Sequence, residues 1–135
     1  MKIAVVSDIH GNLPALQAVL ADISAARPDL TVNLGDIVSG PLWPRETFEF
    51  LQSRELPTVR GNHDRWMVEL GPDKLSPALA YTRAQLTDAQ RDRLGALPTT
   101  LRLDGGIFMC HGTPTDDYEY LLEDAHEGRL ALAHG

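Results

Sequence analysis

Four short clusters of oxygen and imidazole ligands punctuate this chain, each directly after an apolar run. They are Asp8-Ile9-His10-Gly11-Asn12, Gly35-Asp36, Gly61-Asn62-His63-Asp64 and His111-Gly112. The first three follow short stretches rich in β-branched or aliphatic residues, and the fourth follows Ile107-Phe108-Met109-Cys110. Runs of that kind read as strands. Polar side chains that leave neighbouring strands at the same end collect in one place, which is where open α/β sheets keep their ligands. The pattern therefore restricts the chain to an α/β fold with its chemistry at the strand ends.

The segments between the clusters agree. Ile3 to Val6 is continuously apolar, as expected of a strand buried on both faces. Pro14 suits a first helical turn, and Leu13, Leu16, Leu20 and Ile23, with Val19 beside them, line one helical face up to Ala26. Pro28-Asp29 ends that helix and Leu30–Leu34 reads as a second strand, so a right-handed crossover and a parallel pair are expected. Gly35 to Pro44 is a loop, and Pro44 opens a short helix with Phe48 and Leu51 inward. Pro57–Arg60 is a brief third strand, and Trp66–Pro72 reads as a loop. Ser76-Pro77 starts another helix, restarted by the capping box Thr87-Asp88-Ala89-Gln90, with Leu79, Leu86, Leu94 and Leu97 inward. Thr99–Leu103 and Ile107–His111 flank Asp104-Gly105-Gly106, a hairpin signal. The stretch from Asp117 to Ala133 reads as mostly helical. At 135 residues this is one domain, 1–135, without repeats or linkers.

The chemistry of the clusters is that of hard ligands. Asp8 and His10, two apart, would share a face in a strand continuing to position 10 and can converge on one ion in a turn after it. Gly35 lets the backbone approach closely beside Asp36, whose two oxygens can bridge two cations. Asn62 offers a carbonyl oxygen and His111 an imidazole nitrogen. Oxygen and nitrogen without thiolate suit Mn²⁺, Fe or Zn²⁺ rather than a structural thiolate zinc. Two such ions about 4 Å apart activate a bridging water and clamp phosphate oxygens. His63, beside Asn62, would face the leaving group as general acid, and Asp64 would orient His63. A single one of these clusters is an ordinary turn; four in order, each after a strand-like run, are a site. His126 and His134 lack ligand spacing, Trp43 and Trp66 suit packing or pocket lining, and Cys110 sits in an apolar run as inert core.

Taken together, Asp8-Ile9-His10-Gly11-Asn12, Gly35-Asp36, Gly61-Asn62-His63-Asp64 and Cys110-His111-Gly112 resemble the calcineurin-like metallophosphoesterase superfamily. Within it the chain is similar to the small prokaryotic phosphodiesterases, whose first motif continues as Gly11–Leu16 does. The resemblance implies a four-layer αββα sandwich. It also implies two divalent ions, manganese preferred and iron, zinc or nickel possible. Asp8, His10 and Asp36 would hold one; Asp36, Asn62 and His111 would hold the other. The implied activity is hydrolysis of phosphomonoesters or phosphodiesters by a two-metal-activated water, with His63 as the acid. The family's further Gly-His-x-His motif is not in this sequence, which ends Ala133-His134-Gly135. The chain thus reads as a shortened member, its sandwich incomplete at the C-terminus and each ion one protein ligand short. The alternative function is a catalytically impaired metal-binding or regulatory remnant; a degenerate gene product is the third reading.

Composition bounds the partners. A net charge of −7 without a Lys/Arg-rich run argues against nucleic acid or an anionic membrane, and the resemblance implies a phosphorylated small molecule as substrate. The lone cysteine favours a reducing, cytoplasmic setting. The N-terminus has neither a signal peptide nor a membrane-length run. With the family's later strands missing, the Ile107–His111 strand keeps an unpaired edge, so a homo-oligomer is expected.

Overall fold

The structure is a computed structural model that describes residues 1–122. Strand β1 (Ile3–Val6), helix α1 (Leu13–Ala26) and strand β2 (Leu30–Asn33) follow in order, and the two strands pair in parallel with Ile3 opposite Leu30 and Val6 opposite Asn33. Helix α1 starts where Asn12 Oδ1 accepts the Ala15 N–H at 3.2 Å, with Pro in its first turn. Its expected apolar face is only partly covered: Leu16 is buried, Leu20 and Ile23 are half-buried, and Val19 is 47% exposed. Strand β1 likewise departs from burial on both faces. Val5 is 55% exposed and lines an open cleft shared with Val19.

The expected third strand shrinks to one parallel bridge, Thr58 to Asn33. Asn33 donates to Pro57 O (2.9 Å) and accepts from Val59 N–H (3.1 Å). Pro57 has no N–H to extend the ladder, and the Arg60 N–H turns away to Pro98 O at 2.7 Å.

Helices α2 (Pro44–Gln52), α3 (Asn62–Glu69), α4 (Pro77–Gln85) and α5 (Asp88–Gly95) follow, with a 3₁₀ turn at Pro72–Lys74. Helix α3 takes in Trp66–Glu69, which sequence alone assigned to a loop. It begins at Gly61, which lacks a capping side chain; the Asp64 carboxylate reaches back to the Gly61 N–H at 3.0 Å instead. Strands β3 (Thr100–Leu103) and β4 (Ile107–Cys110) form the antiparallel hairpin, turned by Gly105 and Gly106 at φ +82° and +76°.

Two apolar clusters hold these layers. Leu16, Ile37, Phe48, Leu51, Met67 and Leu94 join the helices. Val32 and Val59 of the first sheet pack on Met109 of the second, with Leu101 and Ile107 alongside. The described residues thus supply a helical layer and two facing sheets of the expected αββα sandwich. Trp43, expected to pack, is 44% exposed. Residues 117–122 are irregular rather than helical, because Asp116 Oδ1 accepts the N–H of Tyr118 (2.8 Å) and of Glu119 (3.0 Å). The rest of the expected tail helix, with His126 and His134, lies outside the described residues. Among those residues no helix is long and apolar enough to cross a membrane.

Candidate metal centre

Asp8 lies two residues past β1, Asp36 three past β2, and His111 one past β4. Beyond the strands the first two loops stay laced together. Asp8 N–H donates to Gly35 O (3.1 Å), His10 N–H to Asp36 O (3.0 Å) and Gly11 N–H to Ile37 O (2.9 Å). Asp8, His10 and Asp36 all adopt left-handed backbone, at φ +54°, +49° and +54°. Asp and His tolerate this region better than most residues, yet three instances in one site are unusual. The loops also touch backbone to backbone. A Cβ on Gly35 would lie 2.8 Å from Gly61 Cα, and one on Gly61 would lie 2.6 Å from Asp36 N. Glycine is required there for close approach.

These loops bring together one ligand atom each from Asp8, His10 and Asp36, all within 4.8 Å of one another. His10 Nε2 stands 3.7 Å from Asp8 Oδ1 and 3.8 Å from Asp36 Oδ2. On the other side of Asp36 Oδ2, His111 Nε2 stands 3.7 Å away, and 3.1 Å from Asn62 Oδ1. The far nitrogens fix the tautomers. His10 Nδ1 is 2.8 Å from Ser39 O and His111 Nδ1 is 2.7 Å from Leu34 O. A carbonyl only accepts, so both Nδ1 atoms carry hydrogen and both Nε2 atoms present lone pairs to oxygens. Acceptors facing acceptors call for a cation between them. Backbone carbonyls behind metal-binding imidazoles are the usual support. The donor set therefore fits a divalent ion.

Asp36 is 3% exposed, and its other oxygen accepts the His63 N–H at 2.9 Å, which ties the bridging carboxylate to the start of α3. The His63 ring lies 5.0 Å from that of His10 and 4.5 Å from that of Trp66. Burial lowers its affinity for a proton, outweighing the pull of Asp36. Asp8, His10, Asp36, Asn62, His63 and His111 all line one cleft of about 560 Å³.

Asp64 stands elsewhere, and its expected role needs correction. Its Oδ2 accepts from Asp36 N–H (2.9 Å) and Gly61 N–H (3.0 Å), and its Oδ1 from Ile37 N–H (2.9 Å). Both oxygens are committed to backbone, so Asp64 shapes the loops rather than orienting His63. Burial pushes its carboxyl up to about 6 against the pull of those donors. The contact expected of Asp64 belongs to Ser39, whose Oγ lies 2.7 Å from His63 Nδ1 and 2.9 Å from His10 Nδ1. Sequence reasoning missed Ser39; its only signal is its place three residues after Asp36.

The family model described as calcineurin-like phosphoesterase matches residues 1–134. The chain belongs to that family. An uncharacterised protein of Methanocaldococcus jannaschii is 33% identical over 90% of this chain and 54% of its own length. The crystal structure of a metallophosphoesterase from Sphaerobacter thermophilus is 38% identical, covering 90% of this chain and 51% of that one, with a TM-score of 0.71. A hypothetical protein from Pyrococcus horikoshii OT3 superposes with a TM-score of 0.79 at 27% identity, over 96% of this chain and 62% of that one. The chain therefore spans between half and two thirds of the length of these relatives.

Proposed function

We propose that this calcineurin-like phosphoesterase chain is a metal-binding protein with impaired catalysis. It holds one divalent ion at Asp8, His10 and Asp36, and a second, more weakly, at Asp36, Asn62 and His111. The observation that carries this reading is Asp36 Oδ2 placed between two imidazole lone pairs, 3.8 Å from His10 Nε2 and 3.7 Å from His111 Nε2. Three protein donors leave the remaining coordination positions to water and substrate, which suits modest affinity and slow turnover. Manganese fits the oxygen-rich set, with iron, zinc and nickel as competitors.

When bound, such ions polarise a phosphoryl oxygen and acidify the attacking water. The chain's own residues do the rest. Ser39 and Leu34 carbonyls hold His10 and His111 in their ligating tautomers. His63 lines the cleft with its Nδ1 against Ser39, which leaves Nε2 to deliver a proton to the leaving oxygen of a phosphomonoester or phosphodiester. Its substrate is a phosphorylated small molecule rather than a nucleic acid, in keeping with a net charge of −7 and a sequence without a Lys/Arg-rich run. The lone Cys110 supports a reducing, cytoplasmic setting. A second reading, a fully competent two-metal hydrolase, is favoured by the His63 ring lying 5.0 Å from the ligand His10.

Metal analysis and calorimetric manganese titration, run beside hydrolysis of p-nitrophenyl phosphate and bis(p-nitrophenyl) phosphate, separate these readings. One tight equivalent, with slow hydrolysis that rises as a weak second site fills, is the expected result. Two tight equivalents with fast turnover select the second reading. No manganese uptake, or uptake that Asp8→Asn and Asp36→Asn leave intact, ends both.

A further inference from the structure

A second cleft of about 490 Å³ adjoins the metal cleft, and the two share His111, Asp117 and Tyr118 as common wall. Its remaining lining includes Arg60, Trp66, Thr113 and Thr115. Trp66 lies one helical turn beyond His63 on α3, and its ring continues a row that runs from His10 through His63 to Tyr118. The Trp66 and Tyr118 rings are 5.9 Å apart and inclined by 46°. They are too close to admit a ring between them and well placed to receive one laid against both.

Tyr118 is 69% exposed, yet its backbone is pinned. Its N–H donates to Asp116 Oδ1 at 2.8 Å, and the preceding Asp117 takes both a 2.7 Å and a 2.8 Å bond from Arg65, next to Trp66. Gly112 seats the same loop, since a Cβ there would lie 2.6 Å from Asp116 O. A large exposed ring carried on a pinned backbone beside a second ring is a stacking surface with less backbone entropy to lose.

The cleft also holds a guanidinium with donors to spare. Arg60 is half-buried; its Nη1 donates to Gly95 O at 2.9 Å, its Nε is buried away from the cleft, and its charge also acts on Asp117, so the Nη2 end is what a ligand can meet. Among the described residues no carboxylate lies within ion-pair distance of it. Asp117 is committed to Arg65, and Asp116 to the N–H groups of Tyr118 and Glu119. A guanidinium with an N–H group still to place recognises carboxylate or phosphate.

We propose that this second cleft is the leaving-group subsite, and that it takes a planar group bearing its own negative charge, the ring against Trp66 and Tyr118 and the anion on Arg60. The inference rests on the phosphoester reading above and narrows it to substrates whose leaving group is aromatic and anionic.

The test uses the manganese-loaded full chain and four probes in calorimetric titration: inorganic phosphate, methylphosphonate, phenylphosphonate and 4-carboxyphenylphosphonate. Phenylphosphonate should bind about 3- to 10-fold tighter than methylphosphonate through stacking. The added carboxylate should gain about 10-fold more through Arg60. Tyr118→Leu, at an exposed side chain, should erase the ring's advantage and keep the carboxylate's. Arg60→Gln should do the reverse, with Arg60→Lys intermediate; manganese content and melting temperature check that the fold persists. Equal binding of all three phosphonates, or preferences untouched by these substitutions, overturns the inference while phosphate binding leaves the phosphoester reading standing. Failure of phosphate itself to bind the loaded protein removes both.

Discussion

Ser39→Ala is the sharpest probe of how this site handles a proton. The hydroxyl sits 2.7 Å from His63 Nδ1. Against neutral His63 it donates to Nδ1, and against protonated His63 it accepts from Nδ1–H. In both states the Nε2 proton stays directed into the cleft. Removing the hydroxyl leaves the ring free to take the other tautomer or to turn. A hydrogen bond of this kind contributes about 0.5–1.5 kcal/mol net, which at 1.36 kcal/mol per decade is roughly a 2- to 12-fold loss in kcat. His63→Ala, which removes the proposed acid altogether, should cost ~10²–10⁴-fold. The metal cluster should be spared, because the Ser39 carbonyl still accepts from His10 Nδ1 at 2.8 Å. The assay is steady-state hydrolysis of alkyl and p-nitrophenyl esters with manganese content measured in parallel. Only the alkyl ester, whose leaving group needs a proton, should slow appreciably. Equal slowing of both esters, or a matching loss of manganese, would refute Ser39 as the orienting residue.

Asp36→Asn removes the oxygen that faces both imidazoles, so manganese affinity should fall by about 100-fold or more. In wild type, manganese at 100 times its Kd should add about 2.7 kcal/mol of stability, several degrees in Tm, and chelator or Asp36→Asn should abolish that gain. Asp117 is held below the usual carboxylate range by hydrogen bonds from Arg65. Its contribution is therefore present near neutrality and lost as pH falls through its folded value. Denaturation of Asp117→Asn should be less sensitive to acid below about pH 4. The expected homo-oligomer is tested by light scattering at micromolar concentration. With Met109 only 3% exposed, the more open apolar strand is β1, where Val5 is 55% exposed, so Val5→Lys should dissociate a dimer.

Much of this architecture is legible because apolar pattern and turn chemistry agree locally. The β1–α1–β2 unit announces itself through Ile3–Val6, Pro14 and the Leu16 face, and the hairpin through Gly105-Gly106. Helix α3 is hidden for a physical reason. Its first residues, Asn62-His63-Asp64-Arg65, are polar, and its cap comes from Asp64 three residues in rather than from a preceding Ser or Thr. The six residues that line the cleft are legible as types, since each combines ligand chemistry with strand-end placement. Their partition of labour is not. Ser39 takes the contact expected of Asp64 because the 35–37 loop's N–H groups capture the Asp64 oxygens, a tertiary outcome. The open side of β1 is equally invisible in a run of four apolar residues.

The left-handed backbone at Asp8, His10 and Asp36 carries a consequence for how such a chain drifts. Each position holds a conformation that glycine adopts freely and that costs other residues of order 1 kcal/mol or more. Replacing any of the three ligands by glycine would thus relieve strain in the metal-free protein while destroying its chemistry. Stability and ligation pull in opposite directions at the same three codons. Selection for folding alone, in a library grown without metal, should enrich glycine there first. A lineage released from its function would erode at its ligands before it eroded in its core.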